Sequence, residues 1–352
     1  MRARLGTSEV EISRVVFGSM GHGDADESQR IRVLHAALDA GTTSIDTAPL
    51  YGFGEVERIV GRAVRGRRDR VELLSKVGLR WDDDHGAVLF RFRDAAGVQH
   101  AVRRDSRPAA IRSDVEASLH RLGTDHLDLC QIHHPDERVP LADSIGTLEE
   151  LVAEGKIRAF GVSNFTAPQL ARAIEASGGR LASDQLEYNL VRRAPERDLI
   201  PLARAHGIGL LAYSPLDAGS LAGRLLQPDA VRDGRSQRAS FRPQNARAIN
   251  VALREGLEPV ARAHGASLAQ IGLAWLLHQP GLTGIIAGAR SPEQARDNAR
   301  AAGVVLDDDE VAAIGARFAG VRIDPAAGLG LPARTRRLLA RARRRLGRLV
   351  RD

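Results

Sequence analysis

The sequence predicts a (β/α)8 barrel. Three observations do so. Eight apolar runs of strand length alternate with segments of helical periodicity. The runs are continuously apolar rather than alternating, as in parallel strands buried on both faces. The glycine fingerprint of the competing doubly wound sheet is missing. Its nearest candidate, Gly52-Phe53-Gly54, carries Glu57 where the third glycine belongs.

The elements follow in chain order. Residues 3–14 (ARLGTSEVEISR) read as a short hairpin, a plug for the barrel bottom. Strands are predicted at 15–19, 43–48, 71–77, 127–133, 159–164, 183–189, 208–214 and 283–288. Helices are predicted between and after them, at 28–40, 54–66, 108–122, 141–155, 167–177, 194–206, 247–264 and 291–302. Two long inserts leave from strand C-terminal ends, the face where barrel enzymes work. Within the first, 79–107, VLFRFR and VQHAVR flank Asp94-Ala95-Ala96-Gly97, a hairpin with a four-residue turn. With Trp81 it is read as a substrate lid. The second, 216–246, is long enough to suggest a functional loop. Residues 267–279 form an apolar extra helix, and Asp307–Glu310 opens another, its acidic residues suiting the positive helix end.

Composition narrows the function classes. The chain has 352 residues, 43% hydrophobic and 27% charged, which is ordinary for a globular protein. No apolar run reaches the ~20 residues of a membrane span, and the N-terminus lacks a secretory apolar stretch, so a cytoplasmic location is expected. One cysteine, Cys130, excludes an internal disulfide and a cysteine metal cage; it reads as a small core residue. The net charge of +7 belongs to the end of the chain. Residues 331–352 hold nine Arg and one Asp, so the rest is near neutral and offers no broad nucleic-acid surface. The chain thus divides into residues 1–330, one barrel domain, and an Arg-rich extension at 331–352. Leu338, Ala342, Leu346 and Leu349 recur in the extension at helical spacing. Weak contact with an anionic surface is one reading of it, a solvated extension the plainer one.

Of the 51 basic residues only Lys76 and Lys156 are lysines. Arginine serves wherever charge alone suffices. A retained lysine points to a need for a compact ammonium of tunable pKa. Lys76 closes the third strand (LLSKVG). Asp46 closes the second (SIDTAPLYG), with Tyr51 five residues on. His133 closes the fourth (LCQIHHPD). Strand alternation groups Ser44 with Asp46, and Leu129 and Gln131 with His133, so these sets can face the barrel mouth. A phenol is a weak acid at neutral pH; a nearby ammonium is expected to lower its pKa, and a carboxylate to hold that ammonium. A histidine can hold a carbonyl oxygen from the other side. Asp46, Tyr51, Lys76 and His133 therefore suit proton delivery to a carbonyl oxygen, paired with hydride addition at carbon. Lys156 reads as solvated at a helix end. No metal is expected: His133 and His134 point to opposite strand faces, and Asp82-Asp83-Asp84-His85 lacks the spacing of a calcium loop and reads as a solvated acidic turn.

These motifs together resemble the aldo-keto reductases, (β/α)8 enzymes that use NADPH. The resemblance spans residue 3 to about 318 and lies in the order of its parts: DTAPLYG at 46–52, LSKVG at 74–78, LDLCQIH at 127–133 and GVSNF at 161–165. YSPL at 213–216 with Gly219, and Gly288-Ala289-Arg290, follow. It implies that Tyr51 is the general acid, that Lys76 held by Asp46 tunes it, and that His133 orients the carbonyl. It implies a nicotinamide carboxamide held by Ser163, Asn164 and Gln185, and a ring stacked on Tyr213. A pyrophosphate would lie under the loop of Ser214, Leu216 and Gly219, and an adenosine end near Gly288, Arg290, Gln294 and Asn298. Arg290 would meet a 2′-phosphate, favouring NADPH (NADP+). His134 stands where the family often has a larger residue. With Trp81 it is a substrate-side candidate. The implied partner is a small carbonyl or alcohol. An NADPH-sensing regulatory barrel with little turnover is the alternative.

Overall fold

A computed structural model describes residues 1–20, 25–93, 97–226 and 238–325. The arginine-rich extension, the tip of the first insert's hairpin and the middle of the second insert lie outside the described residues.

The chain opens with β1 (Arg2–Arg4) and β2 (Glu11–Ser13), paired antiparallel. Then come β3 (Val15–Gly18), α1 (Glu27–Asp39), β4 (Ser44–Asp46), α2 (Glu55–Val64) and β5 (Glu72–Val77). The first insert contributes β6 (Leu79–Arg80), β7 (Ala87–Arg93) and β8 (Gln99–Arg104). The barrel resumes with α3 (Pro108–Leu122), β9 (Leu129–Ile132), α4 (Leu141–Ala153), β10 (Phe160–Ser163) and α5 (Ala167–Ala176). It continues with β11 (Ser183–Glu187), α6 (Leu199–Ala205), β12 (Gly209–Tyr213), α7 (Pro243–Ala252), α8 (Glu258–Ala263) and α9 (Leu268–Leu277). It ends with β13 (Leu282–Ala287), α10 (Pro292–Arg300) and α11 (Asp308–Ala319). Helix starts are set locally. Asp26 and Ser291 cap α1 and α10, and capping boxes open α5, α9 and α11 at Thr166, Ser267 and Asp307.

Eight parallel strands close in the order β3-β4-β5-β9-β10-β11-β12-β13, with Ile285 and Ala287 of β13 opposite Val15 and Phe17 of β3. This is the predicted barrel. Two predicted helices are shorter than their patterns. Residues 194–206 hold a 3-10 turn and then α6, because Pro201 has no N–H for the Arg197 carbonyl. Residues 247–264 split into α7 and α8 across a π turn, Leu253–Leu257; Pro259 has no N–H for Glu255. The predicted hairpin gains a third strand, β6, in the order β6-β8-β7.

Strand alternation builds two cores. Leu5, Val10 and Ile12 of the N-terminal hairpin pack inside the barrel against Val16, Leu74, Leu129, Leu211 and Ile286. Phe17, Ile45, Leu73, Cys130, Val162 and Ile285 face outward against the helices. The inner positions beyond Leu74 and Leu129 are Lys76 and Gln131, so the barrel lining turns from apolar to polar toward the strand C-terminal ends.

Candidate active site

Lys76 is 1% exposed and Asp46 3%. Such burial requires partners. The Lys76 ammonium donates to both Asp46 carboxylate oxygens at 2.8 and 2.9 Å, to the Thr47 carbonyl at 2.9 Å and to Tyr51 Oη at 3.2 Å. It also lies 5.0 Å from the Tyr51 ring centroid. An ammonium has no lone pair, so Tyr51 is the acceptor in that bond. Its own proton is therefore not spent on Lys76 and can go to another acceptor. His133 continues the β9 ladder one residue past the strand, its N–H donating to the Val77 carbonyl at 2.9 Å. Its ring meets that of Tyr51 edge-on, centroids 6.1 Å apart. All four residues singled out from the sequence thus meet at one end of the barrel.

Their protonation states differ in part from expectation. The Lys76 charge pulls the Tyr51 phenol down, as anticipated, but burial is the larger influence and leaves it above its ordinary value. For Lys76 burial acts downward, and Asp46 and Tyr51 together overcome it, holding the ammonium charged above its usual range. Burial, then the charge on Lys76, holds His133 well below 6.5, so its imidazole is neutral. A neutral ring N–H next to a protonated phenol gives two hydrogen-bond donors for one oxygen.

A polar layer ties the tetrad to neighbouring strands. Gln185 donates one amide hydrogen to Asp46 and the other to Gln131, both at 2.9 Å. Gln131 donates to the Val162 carbonyl at 3.1 Å and Ser183 Oγ at 3.0 Å. Gly161 makes room for this: a Cβ there would lie 2.3 Å from Ser183 Oγ. The sequence grouped Gln131 with His133 by parity but gave it no role, because its partner lies two strands away. Asn164 adopts a left-handed φ of 63°, which Asn tolerates better than most residues. Its amide donates to the His133 carbonyl at 3.0 Å and accepts from Tyr213 Oη at 2.8 Å. Ser163 Oγ donates to the Gln185 carbonyl at 3.0 Å.

The loop after β12 is strained. Ser214, Asp217 and Ala218 all have positive φ, as does Gly219, in two tight turns closed by Asp217 N–H to Ser214 O and Gly219 N–H to Leu216 O. Asn189, a residue the sequence did not single out, holds the Ser214 carbonyl at 3.0 Å. Leu216 anchors the loop on the outer core. After β13, the neighbouring strand, Gln294 accepts from the Arg290 backbone N–H at 2.9 Å, and Asn298 donates to the Gly288 carbonyl at 3.1 Å. These two side chains shape the Gly288–Arg290 turn.

The insert brings aromatic rings to the Tyr51 loop. Phe53, φ 55°, stacks on Phe92 at 4.8 Å and tilts against Trp81 at 5.4 Å; His100 stacks on Phe92 at 5.0 Å. His134 stacks on His133 at 5.6 Å rather than pointing to the opposite face, because both follow the end of β9 at Ile132 and strand alternation no longer holds there. The acidic turn is tied to arginines as well as solvated: Arg80 pairs with Asp82 and Asp83, and Arg103 with Asp84. Lys156 pairs with Glu116 and Glu154, away from the mouth.

The Aldo/keto reductase family model matches residues 14–317. The chain is 32% identical over 315 residues to the NADH-specific methylglyoxal reductase of Escherichia coli, covering 86% of this chain and 94% of that one. It is 36% identical over 313 residues to an aldo-keto reductase of Bacillus subtilis, covering 86% and 88%. Among solved structures, the glycerol dehydrogenase of Gluconobacter oxydans superposes with a TM-score of 0.79 at 36% identity, covering 92% of this chain and 98% of that one.

Proposed function

The chain belongs to the aldo/keto reductase family, and from that premise we propose that it reduces an aldehyde or ketone with NADPH, or runs the reverse reaction, with Tyr51 as the general acid. One observation carries the assignment of the acid: Lys76 donates to Tyr51 Oη, so the phenol keeps its proton for the substrate oxygen. Neutral His133 holds that oxygen from the other side. Asp46 keeps Lys76 charged and in place. As the proton leaves, negative charge on the phenolate is met by the ammonium already in contact, which requires no rearrangement.

A bound nicotinamide supplies the hydride. The residues present fit such a group. Ser163 Oγ, the Asn164 side chain and Gln185 Oε1 would hold a carboxamide, exchanging some of their present hydrogen bonds for it. Tyr213 offers a ring at the inner edge of the mouth, and burial pushes its pKa up to about 12, keeping it neutral. The strained turns of Ser214, Leu216 and Gly219 present backbone N–H groups to a pyrophosphate. Gly288 and Arg290, on a turn braced by Gln294 and Asn298, would take the adenosine end. Arg290 carries the proposed preference for NADPH over NADH. On the substrate side, Trp81 and His134 flank the mouth with Phe53.

The test is Tyr51→Phe. Carbonyl reduction, followed at the nicotinamide absorbance with an aldehyde panel, should fall by about 10²–10⁴-fold, the usual contribution of a general acid. NADPH affinity, followed by tryptophan fluorescence, should hardly change. Undiminished turnover would remove Tyr51 from the role. Tighter binding of NADH than NADPH by the unmodified protein would reverse the cofactor assignment.

A further inference from the structure

One face of β8 carries His100, Val102 and Arg104, which share it by strand alternation. His100 stacks toward Phe53 through Phe92, and Val102 is fully buried, so this face looks onto the barrel and the Tyr51 loop. Arg104 closes the strand opposite Leu79, three residues beyond Lys76. It is half-buried, and its Nε is sealed from solvent without a hydrogen-bond partner among the described residues. Arg80 and Arg103 share the sealed Nε but, unlike Arg104, are held by carboxylates. Arg80 meets Asp82, Asp83 and Asp114, Arg103 meets Asp84, and Arg107 meets Asp105. Arg104 has no carboxylate within ion-pair distance among the described residues. Its charge is felt by His134, which burial and then Arg104 hold below the ordinary histidine range. His134 stacks on His133, and His133 touches Tyr51. Arg104 is thus within electrostatic reach of His134, on the hairpin face that also meets the Tyr51 loop through His100 and Phe92.

Glu137, more than half exposed and held by Gln169 and Arg172, feels the Arg104 charge only from beyond ion-pair distance, so the guanidinium fork is open to a carboxylate, which it suits in particular. Building on the reductase reading, we propose that Arg104 is a specificity-determining residue that binds a carboxylate on the substrate. The substrate class is then an oxo acid: an aldehyde or ketone whose body lies against Phe53 and Trp81 and whose carboxylate reaches Arg104.

The test compares 2-, 3- and 4-carboxybenzaldehyde with benzaldehyde, using NADPH and the full chain. At least one carboxylated isomer should exceed benzaldehyde in kcat/KM by tenfold or more. In Arg104→Gln that isomer should lose about 10–100-fold, the range for hydrogen bonds to a charged group, while benzaldehyde loses far less. Arg104→Lys should recover part of the loss through KM, because the charge remains and the fork does not. No preferred isomer, or equal losses on both substrate types, overturns the proposal. So does a change confined to KM for NADPH, which would give Arg104 to the cofactor. If neither aldehyde is turned over, the reductase reading fails separately, and benzoate titration by tryptophan fluorescence decides the subsite alone. Benzoate binding that is lost in Arg104→Gln upholds it; absent or unaltered binding overturns it.

Discussion

Lys76 shows what a single residue can reveal in a sequence. In a chain that otherwise favours arginine for positive charge, this lysine is fully buried among Asp46, the Thr47 carbonyl and Tyr51. A planar guanidinium could not take its place without displacing Tyr51. Its identity was legible from composition and its position from the end of a strand. The direction of the Tyr51 shift was not legible, because it turns on how much of the phenol is buried, and burial is a property of the assembled mouth. The consequence is a pH profile. With Tyr51 as the proposed acid, reduction needs a protonated phenol, so its rate should be present below the Tyr51 pKa and lost above it. With that pKa raised above 10, kcat/KM should stay level from pH 6 to 9 and fall only in stronger alkali. His133 is already neutral there, so no limb is expected near 6.5. Steady-state kinetics in buffers of constant ionic strength measure this. An alkaline limb below pH 9 would show the ammonium outweighing burial after all.

The loop bearing Tyr51 owes its position to α2 and α3. Glu57 of α2 is wholly buried and accepts from Ser75 Oγ, beside Lys76, at 2.8 Å, and from Arg121 Nε of α3 at 2.6 Å. Arg121 in turn lies across Gly54, whose φ is 89° and where a Cβ would come within 2.8 Å of the arginine side chain. Read along the chain, Glu57 only marks a failed glycine fingerprint. Its partners, 18 and 64 residues away, come into view when the helices dock on the strands. The aromatic stack is hidden for the same reason: Phe53 and Phe92 belong to different elements, and no local periodicity relates them. Glu57→Gln would leave Arg121 partly buried without a carboxylate. Breaking such a pair costs about 3–5 kcal/mol. The midpoint of thermal unfolding should therefore drop by several degrees, read by circular dichroism. An unchanged midpoint would mean that Arg121 finds water or another acceptor at no cost.

At the scale of the whole molecule the barrel separates stability from chemistry. Its topology was legible because the strand pattern, the chain order of the motifs and the barrel face agree: Asp46, Lys76 and His133 all come at strand C-terminal ends, and closing the sheet brings those ends together. The polar layer of Gln131, Gln185 and Asn164 was less so, since each bond joins strands distant in sequence. The other end is closed by the N-terminal hairpin. Ile12 is fully buried there among Leu5, Val16 and Leu211, and its Cδ1 would lie 3.3 Å from a Cβ on Gly284. Ser13 exchanges hydrogen bonds with Ser44 at the start of β4, the end of that strand opposite Asp46. Ile12→Ala should therefore cost about 2–5 kcal/mol through the cavity it leaves. It should leave kcat and KM within twofold at temperatures where the protein stays folded, because the lost packing lies at the end of the barrel opposite Tyr51. Thermal unfolding and aldehyde kinetics on the same preparation separate the two effects. A variant that keeps its midpoint but loses activity would show that the plug sets the geometry of the mouth through the strands themselves, and the two ends of the barrel would then have to be treated as one coupled unit.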